Sequence, residues 1–174
     1  VTIMQAWNLI EEVEQKGNAS TSSFLPKRYC YDIGIAQQVR NMPFPTLSIL
    51  NSIDSALRTQ LGGLFENVAY LSLINHNMNQ IDLSGWKDNE SQSEVDFIWH
   101  DKINIPIECK AALKVTPRHY TTVKKYLLKS GAKIGFLVSA APFEVTKQNG
   151  ITLINLPIYL CRPEIIQALV LQSE

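Results

Sequence analysis

The stretch from residue 94 to residue 110 constrains the fold of this chain more than any other feature of its sequence. Apolar and polar side chains alternate along two runs within it, which is typical of β-strands that bury one face. Pairing the two apolar faces predicts an antiparallel hairpin whose turn is 101–103. The residues that face each other in this register are Val95 and Cys109, Phe97 and Ile107, and Trp99 and Ile105.

The same register predicts a cluster of ionisable groups on the other face of the hairpin. Asp96 lies opposite Glu108 there, and Lys110 follows further along the same face. Two opposed carboxylates repel each other, so a fold tolerates them best with a cation between them or with one carboxyl protonated. Mg²⁺, or Mn²⁺ in its place, prefers oxygen ligands and leaves positions for water and a substrate phosphate. A lysine beside the ion can stabilise charge on that phosphate or orient water, so the cluster predicts phosphodiester hydrolysis.

The rest of the pattern predicts a mixed α/β fold with its core in residues 61–139. A core helix is expected to begin near Gly63, after a break or very close packing at Gly62 and Gly63, because a glycine inside a helix costs about 1 kcal/mol. This start places Glu66 in the first turn. The elements predicted after it are antiparallel strands at 80–84, 94–100 and 103–110, a helix from Thr116 to Gly131, strands at 133–139 and 151–160, and a helix from about Pro163.

Residues 1–50 are predicted to be an N-terminal helical lobe, or a linker to an upstream module, and residues 51–174 the main domain. The chain begins at Val1 instead of methionine, which fits an upstream module that is missing here. The elements predicted in the first lobe are a helix from Met4 to Gln15, a short strand at 28–31, and a helix over 33–40 with Asp32 as N-cap and Asn41, Pro43 and Pro45 at its end.

Composition excludes several classes of protein. The 16 Lys and Arg residues balance 16 Asp and Glu residues, so any contact with nucleic acid depends on a local basic patch. No run approaches the roughly 20 apolar residues of a membrane span, so no membrane partner is expected. The cysteines, Cys30, Cys109 and Cys161, lack metal-binding spacing and are interpreted as reduced thiols of a cytoplasmic protein.

These features resemble the PD-(D/E)XK nuclease superfamily, whose core follows the order α-β-β-β-α-β. Glu66 precedes Asp96 and the tripeptide Glu108-Cys109-Lys110, which matches (D/E)XK, although Val95 stands where the pattern has proline. More narrowly, four segments resemble the uncharacterised domain found C-terminal to many prokaryotic AAA+ ATPase modules. They are Tyr29-Cys-Tyr-Asp-Ile-Gly34, Gly63-Leu-Phe-Glu-Asn67, Glu94-Val-Asp-Phe97 and Ile107-Glu-Cys-Lys110.

The resemblance implies a restriction-endonuclease-like domain, a central mixed sheet flanked by helices, with an upstream ATPase module. It implies that Asp96, Glu108 and Glu66 are metal ligands, that Lys110 is the catalytic cation, and that the substrate is DNA, with RNA as the alternative. No GxxxxGK[ST] phosphate loop occurs, so ATP hydrolysis is not assigned to this chain. The competing interpretation is a non-catalytic regulatory domain of an AAA+ ATPase that binds nucleic acid or a partner.

Structural interpretations compete with these roles. The charged residues of the hairpin would also suit a solvated strand face, and Glu66 in a first helical turn is favoured by the helix dipole alone. A third interpretation is a protein-interaction module that binds no ion. The helix after the hairpin carries the candidates for nucleic-acid contact. Related nucleases often bear substrate-contacting groups at its start, where His119 and Tyr120 lie, and its basic residues would suit phosphate contacts, with plain solubility as the alternative. The candidates are Arg118, His119, Tyr120 and Lys124, with Lys114, Lys125 and Lys129 as further basic residues nearby.

Overall fold

A computed structural model describes residues 10–17, 24–39, 55–74, 81–91 and 93–173 of the 174-residue chain. The strands within this part of the chain are β1 (Ile10–Val13), β2 (Gln15–Lys16), β3 (Lys27–Cys30), β4 (Asp82–Lys87), β5 (Glu94–His100), β6 (Asn104–Lys110), β7 (Ile134–Ser139), β8 (Glu144–Gln148) and β9 (Ile151–Pro157). The α-helices are α1 (Ile33–Val39), α2 (Ser55–Ile74), α3 (Thr121–Ser130) and α4 (Pro163–Leu171).

A mixed sheet of seven strands, in the order β2-β4-β5-β6-β7-β9-β8, organises the described residues. Its middle strands β4, β5 and β6 are antiparallel, whereas β6, β7 and β9 run parallel. Strands β1 and β3 form a separate antiparallel pair. The predicted α/β class is therefore confirmed. None of the helices in the described residues is long and apolar enough to cross a membrane.

The predicted hairpin is present with its predicted turn, and its register is as predicted from Phe97 and Ile107 to that turn. The predicted pairs of Val95 with Cys109 and of Asp96 with Glu108 are not part of the ladder. Strand β5 ends at His100 and β6 begins at Asn104, so the turn is residues 101–103. Phe97 pairs with Ile107, and the ladder continues through Trp99 with Ile105. The hydrophobic pattern predicts this pairing because a shift of the register by one residue would move these apolar side chains out of the core.

A β-bulge in β5 corrects the prediction at the start of the hairpin. Asp96 and Phe97 both face the single residue Gly85 of β4, a two-against-one arrangement that bends a strand and re-aims its side chains. The flanking pairs are Ser84 with Ile98 and Trp86 with Val95. Val95 consequently packs with Trp86, Ile98 and Tyr126, so the prediction that it shares the face of Phe97 is wrong.

Helix α2 corrects the predicted helix start. It runs without a break from Ser55 to Ile74, through both glycines. A Cβ atom at Gly62 or Gly63 would have no neighbour within 4 Å among the described residues, so close packing is absent there as well. Burial of the apolar face further along this helix offsets the glycine cost. Glu66 therefore lies in the helix interior, not in its first turn, and its position has no explanation in the helix dipole.

Residues 10–13 and 15–16 form strands, where the sequence predicts a helix as far as Gln15. The predicted helix from Met4 to Gln15 is wrong over residues 10–15, and residues 1–9 lie outside the described residues. Strand β1 pairs with β3, where Arg28 Nε lies 2.7 Å from Glu12 Oε1, and β2 joins β4 in the main sheet. Cross-strand pairing outweighs the helical spacing of the apolar residues, a conflict that local pattern cannot resolve.

The other N-terminal predictions have mixed outcomes. The strand predicted at 28–31 is β3, and Asp32 is the N-cap of α1, because its Oδ1 accepts the Ile35 N–H at 3.0 Å. The predicted helix end at Asn41, Pro43 and Pro45 and the domain boundary at residue 50 lie outside the described residues. That boundary stays a prediction, although Val13 and Tyr29 belong to the main hydrophobic core.

The two faces of the sheet are covered by different helices. Core residues of α2 and α4 pack on Phe97, Ile107 and neighbouring side chains on one face. On the other face, Val123 and Leu127 of α3 pack with β7 and β9. The predicted helix from Thr116 to Gly131 begins with a 3₁₀ turn, Pro117–Tyr120, and ends at Gly131, whose φ of 76° favours glycine. The three cysteines are free thiols, as predicted.

Candidate functional site

The candidate site lies where β5 and β6 separate beside α2. The paired ladder begins at Phe97 and Ile107, and the preceding Asp96 uses its side chain in place of a backbone bond. Its Oδ2 accepts the backbone N–H of Cys109 at 2.8 Å. The bulge and this hydrogen bond together fix the Asp96 carboxylate at the fork between the strands and turn it toward α2.

Lys27 of β3 joins three carboxylates in this cluster. Its Nζ lies 2.8 Å from Asp96 Oδ1, 3.0 Å from Glu66 Oε1 and 2.6 Å from Glu94 Oε1. Burial alone would lower the pKa of Lys27, but the charges of Asp96 and Glu66 outweigh it and raise that pKa above its ordinary value. The ammonium group is therefore a permanent cation inside the cluster.

Tyr29, two residues after Lys27, holds the helix carboxylate from the same strand. Its hydroxyl donates to Glu66 Oε1 at 2.6 Å, and its ring stacks on Tyr70 with centroids 4.3 Å apart. Burial and then the charge of Asp96 raise the pKa of Glu66, against the opposing effects of Lys27 and Tyr29. Glu66 is thus fixed at one oxygen by a cation and a hydroxyl.

Glu108 is the most deeply buried acid of the cluster. Its side chain is 4% exposed, and Lys110 Nζ lies 2.5 Å from Oε1. Oε2 has no hydrogen-bond partner among the described residues, an arrangement that is costly for a buried carboxylate. Burial, and secondly the charge of Asp96, raises the pKa of Glu108 to about 8. Because the charge of Asp96 contributes to the raised pKa of Glu108, the two carboxylates interact electrostatically across the fork.

Lys110 provides the second cation of the cluster at its more open side. Its side chain is 43% exposed. Burial would lower the pKa of Lys110, but the charge and hydrogen bond of Glu108 raise it. Lys110 therefore remains protonated at neutral pH, and it is suited to bind an anion instead of accepting a proton.

Two carboxylates of the cluster are suited to hold a divalent cation, instead of the three predicted. No three His, Cys, Asp or Glu side chains of the described ranges are arranged to hold a metal ion, and Lys27 stands between Asp96 and Glu66. Mg²⁺ requires only one or two protein carboxylates and completes its shell with water and phosphate. The unpartnered Oε2 of Glu108 and the second lone pairs of Asp96 supply suitable oxygen donors. Asp96 and Glu108 are the residues that would hold the ion.

All four predicted site residues come together at this fork. Three further residues of the cluster were not predicted, because the local sequence pattern does not indicate them. These three residues are Lys27, Tyr29 and Glu94. Alternation within β3 could have placed Lys27 and Tyr29 on one face, but the predicted strand began one residue too late. The packing of this strand against α2 is a long-range contact that local pattern does not reveal.

The predicted nucleic-acid contacts differ in exposure. Arg118 is exposed, and His119 and Lys124 are half-buried. Tyr120 is buried in the core beneath α3, which corrects its assignment as a surface contact. His119 Nδ1 accepts the Thr116 N–H at 3.3 Å, and burial, with nearby Lys110 and Arg118, lowers the pKa of His119.

Two further basic residues of α3 serve a structural contact. Lys125 Nζ and Lys129 Nζ lie 2.5 Å and 2.8 Å from the carboxylate of Asp88, which is fully buried. They fix the turn between β4 and β5 to the helix. Their charges are consequently engaged within the fold.

The described residues thus define a mixed α/β domain with a buried cluster of carboxylates and lysines at a strand fork. The family model of a domain of unknown function, DUF4143, matches residues 61–159. The chain belongs to this family, which is uncharacterised and often found with AAA ATPases. The matched residues include Glu66, Asp96, Glu108 and Lys110, whereas Lys27 precedes them. No curated protein matches the chain.

Proposed function

We propose that this domain hydrolyses phosphodiester bonds in DNA with Mg²⁺, as a PD-(D/E)XK-type nuclease domain that works with an AAA+ ATPase in the cytoplasm. The observation that carries the proposal is Glu108, a buried carboxylate that binds Lys110 through one oxygen, has its other oxygen unpartnered among the described residues, and has its pKa raised by burial and by the charge of Asp96. A buried carboxylate with an unpartnered oxygen destabilises the fold unless a proton or a metal ion completes it, and a metal ion is the solution that also supplies a function.

Each residue of the cluster has a separate task in this proposal. Asp96 and Glu108 would hold the ion, which supplies a polarised phosphate and a bound water of lowered pKa. Lys110, protonated and partly exposed, binds a phosphate oxygen and stabilises the negative charge that develops there. Lys27 of β3 keeps Asp96 in position through their ion pair, and Glu66 of α2 in turn holds Lys27.

The order of elements supports the same proposal. Helix α2, strands β4 to β6, helix α3 and strand β7 follow one another along the chain, and the cluster draws on α2, β5 and β6. This succession supports the proposal that the domain has the α-β-β-β-α-β core that the sequence resembles. Fold resemblance alone does not establish an activity, so the weight rests on the charges at the fork.

The neutral net charge and the engaged lysines of α3 favour a second candidate function. In it, the domain binds nucleic acid or a partner for an AAA+ ATPase without cleavage. Under this alternative the fork is a structural ion site. The two functions predict the same metal binding and differ in whether a phosphodiester bond is broken.

Incubation of supercoiled plasmid DNA with the purified chain distinguishes these functions. We expect nicking with Mg²⁺ or Mn²⁺, none with EDTA, and loss of about 100-fold or more in rate for Asp96→Asn and Lys110→Met. Lys102→Met, in the exposed turn of the same hairpin, is the matched control and should retain the wild-type rate. Metal binding without cleavage of DNA or RNA would favour the regulatory domain instead.

A further inference from the structure

The space between Asp96 and Glu66 is filled by a cation that belongs to the protein. The Lys27 ammonium lies within 3.0 Å of both carboxylates and 2.6 Å from Glu94. An ammonium group has three N–H donors, so these three acceptors satisfy all of them. The Lys27 side chain is 16% exposed and has little room to turn toward solvent.

The backbone that carries Lys27 is fixed on both sides. Val13 of β1 pairs with Lys27 itself, and Tyr29 is buried among Tyr70 and Phe97 while it donates to Glu66. A flexible surface lysine would exchange partners freely. Here the fold sets the position of the charge, as it would set the position of a bound ion.

We infer that Lys27 permanently takes the place that a second divalent ion would need between Asp96 and Glu66, so that the site holds one divalent ion, at Asp96 and Glu108. The inference rests on the proposed function and specifies the stoichiometry of the same site. Glu66 then has no metal to bind. It is a positioning residue that holds Lys27, and through it Asp96.

The charges of the cluster agree with a single ion. Its acids are Glu66, Glu94, Asp96 and Glu108, and its cations are Lys27 and Lys110. Two negative charges therefore remain when every group is ionised, and one divalent ion neutralises them. A second ion would bring two more positive charges next to the Lys27 ammonium, where the mutual repulsion is poorly screened.

Mn²⁺ titration monitored by electron paramagnetic resonance, with calorimetry in parallel, counts the ions bound per chain. We expect one ion for the wild type and two for Lys27→Met, because that variant frees the oxygens of Asp96 and Glu66. Arg28→Met is the matched control, since Arg28 is the next residue of β3 and pairs with Glu12 on the surface. It should bind one ion with the wild-type affinity.

A second variant covers the case in which Lys27→Met fails to fold by circular dichroism. Glu66→Gln keeps an oxygen that accepts from Lys27 and Tyr29, and it should still bind one ion with an affinity lowered less than about tenfold. Asp96→Asn should lose the ion. Loss of the ion in Glu66→Gln would show that Glu66 is a ligand and would overturn the inference.

The remaining outcomes separate this inference from the proposed function. Two ions in the wild type, or a single ion in folded Lys27→Met, would overturn the role of Lys27 and leave a metal-dependent nuclease intact. No ion in the wild type would overturn the proposed function, and the inference with it.

Discussion

At the scale of single residues, Glu108 is the one whose environment is hardest to explain without a ligand. It lies on the central hairpin, almost without solvent contact, and interacts with Asp96 as well as Lys110. The salt bridge to Lys110 satisfies only one of its oxygens. A carboxylate in this state destabilises the fold whenever it is charged and no cation is bound.

Glu108→Gln should therefore stabilise the metal-free chain, and increasingly so as the pH rises. The folded state holds a proton on Glu108 between its ordinary pKa of 4.5 and about 8, where the unfolded state releases it. More protons are bound in the folded state, so the stability of the wild type falls as pH rises through this window. The variant has no proton to lose there.

Thermal unfolding in EDTA checks this prediction. At about pH 8.5 the variant should unfold at least about 3 °C above the wild type, with a smaller difference at about pH 5. Mg²⁺ should raise the midpoint of the wild type and leave Glu108→Gln unchanged. Glu144→Gln, at an exposed glutamate of the edge strand, is the control. An equal shift at both pH values would contradict the account of Glu108.

At the scale of elements, the packing of α3 on β7 depends on a glycine that α2 does not need. A Cβ atom at Gly135 would lie 2.4 Å from Val123 Cγ1, whereas one at Gly63 would meet no described atom within 4 Å. Gly135→Ala should destabilise the fold by about 2 kcal/mol, because β7 and α3 must separate. Gly63→Ala, the matched control, should stabilise it by about 1 kcal/mol.

Urea unfolding of both glycine variants measures these free energies directly. Both substitutions add the same methyl group, so opposite changes in the free energy of unfolding would reflect the packing around each glycine and not the group that is added. Stabilisation by Gly135→Ala would mean that the sheet and α3 adapt to the extra atom. Destabilisation by Gly63→Ala would indicate a contact that the described residues do not include.

Elements with strong local patterns are predictable from the sequence, and elements held by distant contacts are not. The hairpin register follows from alternation, because only one pairing buries both apolar faces. The bulge at Asp96 depends on the partner strand β4, so no pattern within β5 indicates the bulge. Gly85 of β4 lies there, and its lack of a side chain allows β2 to approach. Strand β1 has the apolar spacing of a helix and becomes a strand because it pairs with β3, well beyond its own local sequence.

The candidate site likewise contains residues that the local pattern predicts and residues that only distant contacts bring in. Asp96, Glu108 and Lys110 lie on adjacent strands of one hairpin, so the sequence predicts that they lie near one another, but the bulge that turns Asp96 toward α2 is not predictable from the hairpin alone. Lys27 enters from a strand that packs against α2, a contact that depends on the tertiary fold. Its role is consequently visible only in three dimensions.

For the whole molecule, balanced charge means that the proposed contact with DNA would depend on a small number of exposed cations. Arg118 is exposed, whereas Lys129 is bound to buried Asp88. Arg118→Gln should weaken DNA binding at every sequence and reduce the salt slope by about 1. Lys129→Gln should leave binding nearly unchanged and lower the unfolding midpoint by about 2–4 °C.

Fluorescence anisotropy with a labelled duplex at several salt concentrations, together with thermal unfolding, separates these effects. A loss of DNA affinity in Lys129→Gln equal to that in Arg118→Gln would place the α3 lysines on the binding surface after all. It would also mean that Asp88 releases them when DNA binds.

The most direct test of the central claim is the rate of plasmid nicking as a function of Mg²⁺ concentration, for the wild type, Asp96→Asn and Lys110→Met. If the fork holds a catalytic ion, the wild-type rate saturates with Mg²⁺, and Asp96→Asn requires far more ion or stays inactive. Lys110→Met should still respond to Mg²⁺, with a maximal rate lower by about 100-fold or more. Nicking that persists in EDTA, or equal rates in all three proteins, would contradict a metal-dependent site at Asp96 and Glu108.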